Sequence, residues 1–247
     1  MNPFGFTRSV IKRNHALVTP ESHVAAALPG WQKAQGIIVI SPRLGADFSQ
    51  YFVHMEAGAS SGAPLPGVER FVFVEEGRLH VSCGELDAAL DVGGYAYLPA
   101  DVSHLLQSEQ PTRLTVFERR YVPLLGVPAP GPLVGNENDV VAEAFMGDDA
   151  AMLKTLLPTV PAFDMAVNLF TFAPGAALPL VEVHVMEHGL LLLQGRGIYR
   201  LDDAWYPVQA GDVIWMAPYC PQWFTAVGKE PARYLYYKDV GRDALCD

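Results

Sequence analysis

Two histidines, a glutamate and a glutamine have the types and spacing of a metal site. Glu182 and His184 are two residues apart, so on a β-strand their side chains would point to the same side. His188 follows beyond a bend, and Gln222 comes forty residues after Glu182. A carboxylate, two imidazoles and an amide oxygen suit Mn, Fe(II), Ni or Co and, less typically, Zn. Because no thiolate is present, we predict one divalent-metal site that is not a structural zinc site.

A second interpretation treats these four residues as polar side chains inside an empty barrel. Four polar groups that converge without a ligand would be costly to bury, so metal binding is favoured. The other histidines are interpreted as structural: His15, His23, His54, His80 and His104.

The strands that must position the site belong to a unit that occurs twice. Residues 47–58 resemble residues 164–175 at an offset of 117, and residues 70–78 match residues 188–196 at an offset of 118. The order of the matches is colinear, which indicates a repeat of about 90 residues. Each copy consists of short β-branched and aromatic runs bounded by Gly and Pro. We therefore predict an all-β fold of two tandem sandwiches or jelly-roll β-barrels.

The composition along the chain suggests where these two barrels begin and end. Gly77 and Gly195 are predicted to lie at turns between consecutive strands, and helical signal is confined to stretches such as 140–157. The predicted organisation is an N-terminal arm at 1–35, a first barrel at 36–122, a proline-rich linker at 123–150 and a second barrel at 151–247.

The bulk composition limits the partners of the protein. A formal net charge of −10 disfavours nucleic acid and anionic membrane, because phosphate binding needs Lys and Arg. A small anion could still be held by one local cation. Cys83, Cys220 and Cys246 are odd in number and far apart, which is typical of reduced thiols. The chain shows neither a signal peptide nor a membrane span, so we expect a soluble, cytoplasmic protein.

The glycines and the proline around the candidate ligands fit a known plan. In the cupin superfamily, a first motif contains a glycine, His-x-His, a Glu and a second glycine. A second motif contains a glycine, five residues, Pro-x-Gly, two residues and a His. The chain resembles this plan, with substitutions, at Gly175, Gly195, Gly211 and Pro218.

The substitutions point to one branch of the superfamily. Glu182 stands at the usual first histidine, His188 at the usual glutamate and Gln222 at the usual last histidine. This permuted set is similar to that of the (S)-ureidoglycine aminohydrolases, which are bicupins with manganese in the C-terminal cupin. The resemblance covers nearly the whole chain and includes the segments SPRLGADFSQYFV, GVERFVFVEEG, ERRYVP, EVHVMEHG, GRGIY and YLYYKDVGRD.

The resemblance implies a reaction and roles for several residues. The family releases ammonia from (S)-ureidoglycine and forms (S)-ureidoglycolate. By resemblance, the metal ligands would be Glu182, His184, His188 and Gln222, and the substrate contacts would be Tyr199, Tyr234 and Lys238. Glu182 and Lys238 would be the catalytic residues, and the chain would form a homo-oligomer.

The first copy of the repeat departs from this site. Pro64 and Pro66 replace the carboxylate and the first imidazole, and Arg70 replaces the second imidazole. Only His104 remains, and one imidazole cannot hold a divalent ion alone. Glu118 stands opposite Lys238 and carries the opposite charge. We expect this half to be metal-free and structural.

Two other functions are compatible with the residues. A non-catalytic cupin could bind a small anion as a sensor or a store. Alternatively, Glu182, His184 and His188 could form the two-histidine, one-carboxylate face of an Fe(II) dioxygenase, or the site of an isomerase. The identity of the metal would separate these enzymes.

Overall fold

A computed structural model describes residues 6–243, and within them the regular structure is almost entirely β. This confirms the predicted all-β class. Two short 3-10 helices cover Pro20–Ser22 and Glu137–Asp139. No helix in residues 6–243 is long and apolar enough to cross a membrane. Cys246 lies outside the described residues, whereas Cys83 and Cys220 are buried free thiols.

The strands are short, as the alternation of apolar runs with Gly and Pro predicts. The first eleven are β1 (Val10–Ile11), β2 (His15–Val18), β3 (Ala26–Ala27), β4 (Gln32–Ile40), β5 (Phe48–Ser60), β6 (Val68–Glu76), β7 (Leu79–Cys83), β8 (Leu86–Leu90), β9 (Gly94–Leu98), β10 (His104–Ser108) and β11 (Thr112–Arg120). The other ten are β12 (Leu133–Asn136), β13 (Glu143–Phe145), β14 (Asp148–Thr155), β15 (Met165–Phe172), β16 (His188–Gln194), β17 (Arg196–Leu201), β18 (Ala204–Gln209), β19 (Val213–Met216), β20 (Gln222–Ala226) and β21 (Ala232–Asp239).

The chain forms two compact units. One, here called the N-terminal barrel, comprises Val24–Val140 and Thr159–Asp164. Its strands run in the order β12-β9-β6-β11-β5-β10-β7-β8, with β4 paired to β5 and β3 to β4. All of these pairs are antiparallel. Side chains such as Val53, Val72 and Leu114 alternate inward and form its apolar core.

The other unit, the C-terminal barrel, comprises the described residues up to His23, Val141–Pro158 and the chain from Met165 onward. Its larger sheet has the order β1-β2-β19-β16-β21-β15-β14-β13, and its smaller sheet has the order β18-β17-β20. Both sheets contribute to one core, in which Phe170 of the larger sheet and Phe224 of the smaller sheet are buried. This barrel carries the candidate ligands.

The predicted arm and linker contribute strands to the barrels. Within residues 1–35, β1 and β2 extend the C-terminal barrel through β19, while β3 joins the N-terminal barrel through β4. Within residues 123–150, β12 pairs with β9, and β13 and the start of β14 belong to the other barrel. The helical signal at 140–157 is not realised, because pairing with β15 outweighs the local helix propensity there.

The predicted turns at Gly77 and Gly195 are confirmed. Both residues have positive φ, +83° and +76°. A Cβ at either position would also clash with backbone, at the carbonyl of Pro111 or that of Pro231. Glycine is therefore required at the turn that leads out of β6 and at the one that leads out of β16.

A buried carboxylate fixes the N-terminal segment to the C-terminal barrel. The two terminal nitrogens of Arg8 donate to the Asp212 carboxylate over 2.8 and 2.7 Å. The Asp212 side chain has no solvent exposure and also accepts the Gln209 amide over 2.9 Å. Loss of the guanidinium would leave a buried charge without its main partner.

We predict that Arg8→Met destabilises the C-terminal barrel by about 1–2 kcal/mol, since a bidentate charge-assisted pair is lost. The loss is limited because Arg8 is 27% exposed. Arg78→Met is the matched control, because Arg78 and Asp91 are 58% and 71% exposed and their pair should contribute little. The midpoint of unfolding in guanidinium chloride, followed by tryptophan fluorescence, is measured for both variants. Equal midpoints would contradict the prediction.

Candidate metal centre

A pair of backbone hydrogen bonds joins the two sequence segments that carry the candidate ligands. The Glu182 amide donates to the Gln222 carbonyl over 2.9 Å, and the Gln222 amide donates to the Glu182 carbonyl over 3.0 Å. Gln222 is the first residue of β20, and His188 is the first residue of β16. The His184 carbonyl accepts the Tyr219 amide over 2.7 Å, so the segment between Glu182 and β16 is held on both sides of its bend.

The two imidazoles point at each other. His184 Nε2 and His188 Nε2 are 3.1 Å apart, and the ring centroids are 4.8 Å apart. His184 Nδ1 lies 3.1 Å from the Met186 carbonyl, which can only accept, so Nδ1 carries the proton. In the neutral ring, His184 Nε2 therefore keeps its lone pair, as a metal ligand requires.

The side-chain amide of Gln222 reaches the same point. Its nitrogen is 2.9 Å from His184 Nε2, and its oxygen is 3.5 Å from the Tyr199 hydroxyl. The single lone pair of His184 Nε2 thus faces two nitrogens, His188 Nε2 and Gln222 Nε2. A half-turn of the amide would present the oxygen, a metal donor, to the imidazoles and the nitrogen to Tyr199.

Burial favours the neutral form of His188. The residue is buried, and this burial, followed by the charges of His184 and Lys238, lowers the pKa of His188 well below its usual value. A neutral imidazole is the form that binds metal. The ring of Tyr236 stacks on His188 at a centroid distance of 5.5 Å and an angle of 28°, which fixes the plane of the imidazole.

Glu182 and Lys238 form the charged side of the site. Burial raises the pKa of Glu182, and the nearby His184 and Lys238 oppose that change. Burial lowers the pKa of Lys238, and the carboxylates of Glu182 and Asp239 oppose that change. Lys238 is paired in register with His188 on the adjacent strand, so its ammonium group belongs to the same end of the barrel.

The donor chemistry fits a divalent ion that prefers nitrogen and oxygen. Among residues 6–243, no three His, Cys, Asp or Glu side chains are gathered as a ready-made metal cluster. The groups that meet at the site are the two imidazoles and the Gln222 amide, and the Glu182 carboxylate lies beside them. His184 Nε2 has one lone pair, which cannot accept hydrogen bonds from both His188 Nε2 and Gln222 Nε2. A metal ion at this point would bind that lone pair instead.

The equivalent position in the N-terminal barrel is filled by an internal ion pair. Arg70 Nε donates to Glu118 over 2.6 Å, and Arg70 Nη1 lies 3.0 Å from His104 Nε2. The guanidinium also lies over the Trp31 ring, 5.6 Å from its centroid. Burial and the Arg70 charge lower the pKa of His104 to about 4. A fixed cation already occupies the place where the C-terminal barrel could hold a metal.

Comparison with known proteins places the chain in a family. Residues 168–237 match the cupin domain family. The chain is 47% identical to the (S)-ureidoglycine aminohydrolase of Arabidopsis thaliana, over 98% of this chain and 80% of that protein. The chain belongs to the (S)-ureidoglycine aminohydrolase family. It is therefore a member of a family of hydrolases that act on a carbon–nitrogen bond, as the sequence predicted.

Solved structures agree with this placement. The crystal structure of the protein Ylba from E. coli superposes with a TM-score of 0.86 at 32% identity, over 98% of this chain and 97% of that chain. A Bacillus subtilis oxalate decarboxylase with Mn(II) centres has a TM-score of 0.71 at 12% identity, over 97% and 79% of the two chains. The second likeness shows only that the cupin fold is shared, and this fold hosts metal in that neighbour.

Of the substrate contacts that the aminohydrolase family implies, only Lys238 lies at the partly open side of the site. Tyr199 and Tyr234 are buried in the core of the barrel. Tyr199 reaches the Gln222 amide, and Tyr234 hydrogen-bonds Tyr199, so both lie behind the candidate ligands. Tyr236 also reaches the site, where its ring stacks on His188; its alternation with Tyr234 and Lys238 in the sequence predicts that it shares their face of β21, but gives it no role.

A surface groove elsewhere in the C-terminal barrel does not include the candidate ligands. It has a volume of about 530 Å³ and lies between the turn before His15 and the turn that contains Asp202. His15 Nε2 is 2.9 Å from the Tyr206 hydroxyl, and Asn14 donates to Asp202 over 3.0 Å. These polar groups satisfy one another, which agrees with the structural role expected for His15.

We predict that the protein binds about one divalent ion per chain and that His184→Ala/His188→Ala abolishes binding, because two of four donors are lost. The measurement is elemental analysis after reconstitution with Mn²⁺, which is held weakly among the first-row metals. His54→Ala/His80→Ala removes two histidines from the other barrel and should retain the ion. Full occupancy in the first double variant would rule out this site.

A second prediction concerns the difference between the barrels. Gln222→Ala should weaken metal binding and turnover, whereas His104→Ala should leave both nearly unchanged, because His104 contacts a guanidinium. Metal titration and an activity assay on both variants test the difference, with thermal melting as the folding control. Equal effects would show that the N-terminal barrel takes part in the reaction.

Proposed function

We propose that the protein hydrolyses (S)-ureidoglycine to (S)-ureidoglycolate and ammonia, with one Mn²⁺ held by Glu182, His184, His188 and Gln222. The observation that carries this proposal is the convergence of two imidazoles beside Lys238, in a chain 47% identical to a plant (S)-ureidoglycine aminohydrolase. The family relationship supports the reaction, and the donor set supports the metal.

The reaction exchanges one substituent on the α-carbon of the substrate. That carbon carries a carboxylate, an amino group and a ureido group. The bond to the amino nitrogen breaks, a bond to the oxygen of water forms, and the water protons are divided between the new hydroxyl and the departing ammonia. The protein must therefore hold an anion, orient the α-carbon and transfer a proton.

A bound divalent ion would supply a Lewis acid that orients the substrate and acidifies a coordinated water. The chain provides the geometry for it. The Met186 carbonyl fixes the His184 ring with Nε2 toward the site, and the Tyr236 ring fixes the plane of His188. Such supporting contacts orient ligands before the ion binds.

Lys238 is proposed to hold the substrate carboxylate. Its ammonium group is half-buried and lies near Glu182, at the end of the barrel where the imidazoles converge. In a partly dry site, a compact ammonium group forms a strong charge-assisted hydrogen bond with a carboxylate. The contact would also fix which face of the α-carbon meets the rest of the site.

Glu182 is the proposed group for proton transfer. Its carboxylate is close to both His184 and Lys238, and burial raises the pKa of Glu182. A raised pKa makes a carboxylate a better proton acceptor near neutral pH. Glu182 would thus act as a ligand and as the base that takes a proton from water.

Tyr199 and Tyr234 are proposed to contribute from the interior of the barrel. The Tyr199 hydroxyl lies 3.5 Å from the Gln222 oxygen and can support that amide or donate to the ureido group of the substrate. Tyr234 hydrogen-bonds the Tyr199 hydroxyl, and its ring packs edge-on against Phe224 and Tyr236. A cytoplasmic location and a homo-oligomer remain predictions from the sequence, as does the absence of nucleic-acid and membrane partners.

Family membership favours this hydrolase over the two other functions that the sequence allowed. A sensor without turnover and an Fe(II) enzyme both predict no ammonia from ureidoglycine. The test is ammonia release by the Mn²⁺-loaded protein from ureidoglycine generated in situ, with metal-stripped protein as the control. Release at the background rate by protein that is folded and fully loaded would refute the proposed reaction.

We predict that Lys238→Met lowers kcat/KM for ammonia release by about 10- to 150-fold. A charge-assisted hydrogen bond of this kind contributes roughly 1.5–3 kcal/mol, and methionine keeps most of the aliphatic stem. Lys229→Met removes an exposed lysine and should leave kcat/KM unchanged. Metal content and thermal melting check that both variants are intact. Wild-type kcat/KM in Lys238→Met would show that another cation holds the substrate.

A further inference from the structure

The oxygen of one buried side-chain amide in the C-terminal barrel has no hydrogen-bond partner among the described residues. Asn168 lies in β15 and is 4% exposed. Its side-chain oxygen is buried, and no group within residues 6–243 donates a hydrogen bond to it. Nearly all buried polar groups in folded proteins are paired, so an unpaired one inside a barrel calls for a specific explanation.

The strand register places Asn168 close to the metal site. Asn168 is paired with Tyr236, and the next position on the same face pairs Ala166 with Lys238. On the other side of β21, Tyr236 is paired with Leu190, and Lys238 with His188. Residues two apart on a strand are separated by roughly 6.5–7 Å, so the amide lies one such step further into the barrel than Lys238.

The side chain of Asn168 faces the interior of the barrel. Phe170, two residues on, belongs to the apolar core, and its ring stacks on Tyr236 at a centroid distance of 6.1 Å. Burial raises the pKa of Tyr236, and a hydrogen bond from the Asn168 amide opposes that change. The amide nitrogen thus faces Tyr236, which leaves the oxygen for another donor. Ala166, which is paired with Lys238 in the register, has a short side chain.

We propose that Asn168 is a specificity-determining residue whose side-chain oxygen accepts a hydrogen bond from the terminal amino group of the substrate's ureido group. The proposal rests on the proposed function, in which Lys238 holds the carboxylate of the same molecule. The ureido group lies at the other end of this short substrate and offers N–H donors. One molecule can therefore bridge the ammonium of Lys238 and the oxygen of Asn168.

The N-terminal barrel shows that the fold does not require an asparagine here. Its equivalent residue is Tyr51, which is paired with Val116 as Asn168 is paired with Tyr236. The Tyr51 hydroxyl hydrogen-bonds Glu118 and Arg70, so its polar group is satisfied by the barrel itself. The two barrels therefore share the position, but at this position only the barrel with the candidate ligands has a buried polar atom without a partner among the described residues.

The experiment compares two unreactive ligands that differ in one group. N-carbamoylglycine keeps the carboxylate and the ureido group, whereas N-acetylglycine has a methyl group in place of the terminal amino group. We expect Mn²⁺-loaded wild-type protein to bind N-carbamoylglycine about tenfold more tightly by calorimetry, the value of one hydrogen bond. Asn168→Leu and Asn168→Ala should reduce this ratio to near one. Tyr51→Phe, the control in the other barrel, should keep it.

Two variants of Asn168 are used because one of them can still decide the test if the other does not fold. A wild-type ratio retained in the folded, metal-loaded variants would overturn the role of Asn168. Equal binding of both ligands to wild-type protein, or binding of neither, would also overturn it. Failure of the proposed reaction is distinguishable, since it would leave the ligand ratio intact while no ammonia is released. In ammonia release, Asn168→Leu should lower kcat/KM by about tenfold.

Discussion

The two backbone hydrogen bonds between Glu182 and Gln222 are the constraint on which the candidate site depends. They bring together a segment just before β16 and the first residue of β20, which are forty residues apart in sequence. Without this bridge, the Gln222 amide would not meet the imidazoles of His184 and His188. Backbone hydrogen bonds are insensitive to side-chain identity, so the bridge can persist while the side chains at its two ends change their chemistry.

The two barrels differ in how their buried polar side chains are compensated. Each has polar side chains converging inside an apolar shell, and such groups need compensation. In the N-terminal barrel, Arg70 brings a permanent cation that pairs with Glu118 and contacts His104. In the C-terminal barrel, the corresponding residue is His188, whose neutral imidazole can bind a cation from solution. The difference between Arg70 and His188 is thus one of the substitutions that separate a closed polar cluster from one that can bind an ion.

Much of the fold and of the candidate site was predictable, because both depend on residue types and their spacing. The all-β fold follows from the repeat, and the four candidate ligands follow from their spacing around Gly195 and Gly211. The partners of β1, β2 and β12 were not predictable, because the pairing of a short strand is decided by tertiary contacts rather than by its own sequence. A role for Asn168 was not predictable for the same reason. A lone polar residue in an aromatic strand becomes significant only when the register places it beside Tyr236.

The acidity of the chain makes the local placement of charge decisive. With a net charge of −10, the protein as a whole does not attract an anionic substrate. Surface charges are screened beyond about 8–10 Å at physiological salt, however, so binding is governed by the groups inside the barrel. There, the positive charges of Lys238 and of a divalent ion would exceed the negative charges of the Glu182 and Asp239 carboxylates. This local excess of positive charge is what would let an acidic protein hold a small anion, whereas the equivalent cation of the N-terminal barrel, Arg70, is already paired with Glu118.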